Sequence, residues 1–183
     1  MAPSGSRYTL APIATRVAHP LLRARSLPPA AVAHAVHGLV LFVAVVGATY
    51  VADYPARKVL LFSTGAVVLF WVAHVYAAAL AHQHEPEDSG RTGPAVVARE
   101  ARRALPLLEA CVVPALPLVP AALGLLALPL AYAASVTIGI VVLAAVGFAA
   151  LHARQASVRR SLAAAAATGG IGAVIIAAET FWH

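Results

Sequence analysis

The chain has 183 residues, 61% of them hydrophobic and 11% charged, with a mean hydropathy of +0.84. A soluble domain carries about 25% charged residues and about 45–50% apolar ones, so the composition excludes a soluble globular domain and a disordered chain and points to an integral membrane protein. A net charge of +6 on a soluble domain would suggest nucleic acid; here the basic residues lie between apolar runs, membrane topology accounts for them, and no nucleic-acid partner is expected.

Residues 1–29 are rich in Pro, Ser and Arg and read as a flexible cytoplasmic tail, with one transmembrane helical domain over 30–183. The apolar run Ala30–Ala52 is too long for the h-region of a signal peptide and lacks an A-x-A site near its end. About 20 apolar residues cross a bilayer, so this run predicts the first span. A second is predicted over Val59–Ala81, after the short loop from Asp53 to Lys58. The polar loop His82–Gly93 follows; its His82, His84, Glu85, Glu87 and Asp88 read as a solvated loop rather than a cation site.

Pro94 suits the first turn of a new helix. Residues 94–105 set Val97, Ala101 and Leu105 against Arg99, Arg102 and Arg103, the pattern of a segment lying at the membrane surface. Glu100 is placed to pair with Arg103 at i,i+3. A third span is predicted over Pro106–Leu128, where Pro114, Pro117 and Pro120 should kink or break it, because each removes a backbone donor and clashes with the preceding turn. A fourth is predicted over Leu130–Ala153 and a fifth over Ser161–Glu179, followed by Trp182 as an interfacial anchor.

The expected fold is therefore an all-α, polytopic transmembrane helical bundle with about five spans. The basic residues fit it. With the N-terminus inside, eleven of them (Arg7, Arg16, Arg23, Arg25, Arg91, Arg99, Arg102, Arg103, Arg154, Arg159 and Arg160) face the cytoplasm, and only Arg57 and Lys58 face out. Alanine makes up about a quarter of the chain and Arg outnumbers Lys twelve to one, a bias that suggests a GC-rich bacterium and hence its plasma membrane.

Ionisable groups inside a bilayer are costly and usually face the protein interior or a water-filled cavity. Here they are His34, His37, His74, Glu109 and His152, with Glu179 near the outer end of the last span. At about 1.5 Å per residue, His37 lies roughly 10 Å and His74 roughly 12 Å from the inner ends of their spans, and Glu109 within about one turn. The group occupies the cytoplasmic half, and His34 and His37 share a helix face.

Four readings of this group stay open: a structural network joining helices, a proton or ion pathway, a metal site formed by His37, His74, Glu109 and His152, and bis-histidine haem between His37 and His74. The cofactor is accordingly open between none, a divalent metal and haem. Cys111 is the only cysteine and reads as a packing residue.

Small residues four apart let helix backbones approach. Ser135, Gly139 and Gly147 form such a row in the fourth span, and Ala165, Gly169 and Ala173 in the fifth. They predict packing between these two spans or a homo-oligomer interface. No nucleophile–base pair, phosphate loop or dinucleotide fingerprint is present, so enzymatic activity is not the expectation. Two functions remain: a small permease or channel-like protein using the His/Glu group, and a non-transporting membrane subunit or scaffold that docks a partner or a second copy. In both, the lipid bilayer is the first partner.

Overall fold

The computed structural model describes residues 28–82 and 93–181. The predicted tail up to residue 27, the loop 83–92 and the terminal Trp182 and His183 lie outside the described residues. The described chain is all helical: α1 (Pro29–Val51), α2 (Ala56–His82), α3 (Gly93–Arg103), α4 (Leu105–Ala115), α5 (Leu118–Ala122), α6 (Leu128–His152) and α7 (Val158–Phe181). Three of these, α1, α2 and α6, are long and apolar enough to cross a membrane.

Helix α1 is the centre of the bundle and packs against α2, α4, α6 and α7. Leu39, Phe42, Val43 and Val46 are almost wholly buried, while α2 turns Leu61, Leu69, Val72 and Tyr76 outward. Those four recur at helical spacing, and an apolar outward stripe suits lipid, where the polar surface of a soluble protein is not needed. Hydroxyls inside the apolar helices are satisfied locally: Thr49 donates to the Val45 carbonyl at 2.6 Å, Ser63 to Val59 at 2.7 Å and Thr64 to Leu60 at 2.6 Å.

The Pro-rich segment breaks where its prolines require it. Helix α4 ends at Ala115 and α5 begins at Leu118, with Leu116 and Pro117 in a turn between them. Contacts along α1 give this segment its direction. A Cβ on Gly38 would collide with the carbonyl of Leu107, and one on Gly139 would meet the Val43 side chain at 2.6 Å and Pro114 at 4.0 Å. Tyr132 stacks on Tyr50 with ring centroids 3.9 Å apart. Position 38 meets 107 and position 50 meets 132, so α4 starts toward the His34 end of α1 and α6 starts at its Tyr50 end, while α5 between them packs on α2 and α6. It breaks, but it does not double back.

Three helices end alike. Tyr54 N–H bonds to the Thr49 carbonyl, Leu125 to Pro120 and Ala156 to Leu151, at 3.1, 2.9 and 3.3 Å. The preceding residues Asp53, Gly124 and Gln155 have φ of 57°, 76° and 60°. This is the Schellman arrangement, which satisfies carbonyls that the helix end leaves free.

Helices α6 and α7 form a tight antiparallel pair. A Cβ on Gly147 would strike the Thr168 hydroxyl and lie 2.9 Å from the Ala164 carbonyl; on Gly169 it would meet Ala144 at 3.3 Å, and on Gly172 the Leu143 side chain at 3.1 Å. Thr168 donates across the pair to the Leu143 carbonyl at 3.1 Å. The two predicted rows are used unequally. Gly147 and Gly169 serve this pair, while Ser135 and Gly139 face α4 and α1. Ala173 is exposed, and Gly172 beside it is buried instead.

Candidate functional site

The site lies at the end of the bundle where α1 starts and α2 finishes. Helix α1 brings His34, α2 brings His74, and their rings meet edge to face with centroids 4.6 Å apart. Both side chains are partly buried. Phe70, one turn from His74 on α2, lies 6.5 Å from its ring.

Helix α3 lies against this end of α2 and supplies the next layer. His34 Nδ1 is 3.2 Å from the backbone carbonyl of Arg103. A carbonyl only accepts, so Nδ1 is the donor. His37 is held likewise, its Nδ1 2.7 Å from the Ala33 carbonyl on its own helix. Glu100 is buried, and one of its carboxylate oxygens accepts from Arg99 Nε and from Arg103 Nη1, each at 3.0 Å. Arg103 is therefore used twice: its guanidinium holds Glu100 and its carbonyl holds His34. The predicted Glu100–Arg103 pair is present, with Arg99 added.

The titratable groups close enough to act on His74 electrostatically are His34, His37 and Glu100. Of the residues singled out from sequence, His34, His37 and His74 are brought together. Glu109 and His152 are not part of that group. Glu109 is exposed on α4, and His152 is exposed at the end of α6, stacked on Phe148 of the same helix at 5.3 Å. Glu179 stands on α7, and its side chain lies outside the described set.

The metal reading had joined His37, His74, Glu109 and His152; among the described residues no group of three or more His, Cys, Asp or Glu side chains is disposed to hold a metal ion. The haem reading had paired His37 with His74, whereas the ring that meets His74 is that of His34, in direct contact.

Sequence reasoning missed Glu100 as a buried member of the site. Its neighbours Val96 and Ala104 are buried too, while Val97 and Leu105 are exposed. The helix thus packs on its 96–100–104 face and turns the predicted apolar face outward. The signal was the 96/100/104 spacing itself, masked by the charge in its middle.

No protein family, curated protein or solved structure matches the chain.

Proposed function

We propose that the chain is a small bacterial plasma-membrane protein with five crossings and a cytoplasmic N-terminus. In this reading it is permease- or channel-like, and protons or small ions pass by way of the His34–His74 contact. Three candidate spans are joined to two further crossings, the broken α4–α5 segment and α7. The placement of positions 107 and 132 toward opposite ends of α1, and the antiparallel pairing of α7 with α6, support that count. Arg99, Arg102 and Arg103 belong to the layer over His34, and Arg57 and Lys58 follow the opposite end of α1, which suits a cytoplasmic His34 end.

The observation that carries the transport reading is the meeting of two imidazoles from separate helices beside a buried carboxylate. Such groups are costly at membrane depth and are kept where protons or ions are handled, and imidazole titrates near neutrality. Docking of a partner through the small-residue rows is the weaker reading, because Gly139, Gly147 and Gly169 already face helices of the same chain. The test is proton and cation flux into proteoliposomes. His34→Ala and His74→Ala should each lower flux at least tenfold with Gly65→Ala unaffected. Wild-type flux in both histidine variants would overturn the reading.

A further inference from the structure

We propose that the indole N–H of Trp71 and the ring of His74 hold a water molecule between them, so that the polar site extends one helical turn beyond the His34–His74 contact into the bundle. Trp71 Nε1 is buried and has no hydrogen-bond acceptor among the described residues. It is the only side-chain nitrogen or oxygen of this kind there, since the hydroxyls buried in the same helices all find carbonyls. An indole nitrogen is a donor only, so no change of tautomer relieves it. A dry, unpaired donor is expensive in any protein interior and more so at membrane depth.

The acceptor comes from the same helix. Trp71 and His74 are three residues apart and share a face of α2. One water that accepts from Trp71 Nε1 and donates to a ring nitrogen of His74 joins the two side chains with two hydrogen bonds of about 2.9 Å. Neutral imidazole always offers one lone pair to such a water. His34 and His74 are partly exposed, so water reaches the position from the His34 end.

This inference does not depend on transport, and its test reads binding rather than flux. The chain has two tryptophans, so Trp182→Phe leaves Trp71 as the only indole. With ¹⁵N-labelled tryptophan in lipid nanodiscs, the Trp71 indole proton should show a cross-peak to water and exchange into D2O within minutes. His74→Phe should slow that exchange at least tenfold. An indole proton that persists for hours in D2O without a water cross-peak overturns the proposal. Fast exchange that His74→Phe leaves unchanged overturns it as well, because His74 then holds nothing.

Discussion

Ser135 on α6 donates its hydroxyl to the carbonyl of Pro114 on α4 at 2.7 Å. Pro114 stands three residues before Pro117, which has no N–H to offer back to that carbonyl in a tightened turn. Within a bilayer a freed carbonyl must find its donor inside the protein, and Ser135 supplies it while tying two helices together. Ser135→Ala should cost about 0.5–2 kcal/mol, the range of interhelical hydrogen bonds in membranes. Thermal unfolding in mild detergent measures it, and an unchanged midpoint would mean that the bond contributes nothing.

Gly38 marks a close crossing of α1 and α4. Its missing Cβ would meet the Leu107 backbone, which cannot rotate away as a side chain can. Gly38→Ala should separate α1 from α4 and cost about 3 kcal/mol or more. Gly65 has open space around it, so Gly65→Ala should raise stability by up to about 1 kcal/mol through helix propensity. Opposite signs for two identical substitutions is the expected result of a melting experiment on both.

Gln155 occupies a left-handed backbone conformation at the end of α6, with φ of 60°. A side chain there costs about 1 kcal/mol that glycine does not incur. Gln155→Gly should raise the melting temperature. Asp53→Gly should do so less, because aspartate tolerates this region better. A fall with Gln155→Gly would show that its side chain has another role.

Glu100 is buried and pairs with Arg99 and Arg103 of its own helix. Glu100→Gln leaves the shape but weakens both bonds, and hydrogen bonds to charged groups contribute about 1.5–3 kcal/mol. Arg103 is more than half exposed and turns to water at little cost, so a loss of about 2 kcal/mol is expected. Amide hydrogen exchange should quicken in α3 and at His34, and stay unchanged in α6 and α7. Faster exchange throughout would mean that Glu100 supports the whole bundle.

The apolar runs, the break after Ala115 and the Glu100–Arg103 pair were all legible in the sequence, because each depends on local chemistry. The rotation of each helix was not. Helices α1 and α6 are apolar all round, so no periodic signal says which face is inside. Depth arithmetic put His37 level with His74, yet the ring that meets His74 is that of His34, one turn away and on the side that Gly38 and Leu107 draw inward. Glu109 looked like a member of the site by depth alone and faces outward instead. Nothing within the residues near Ser135 announces a partner 21 positions earlier.

The stack of Tyr50 on Tyr132 is nearly parallel, with 5° between the rings, and Tyr54 beside it carries Lys58 5.5 Å above its ring. Stacked rings hold through dispersion and the area they bury. The histidine end of α1 is fastened differently, by the hydrogen bond of His34 to the Arg103 carbonyl and by the close approach of Gly38 to the Leu107 backbone. Sixteen residues of helix, about 24 Å, separate Tyr50 from His34. The central helix is thus clamped at two distant points by unlike chemistry, ring faces at one and backbone contact with polar bonds at the other.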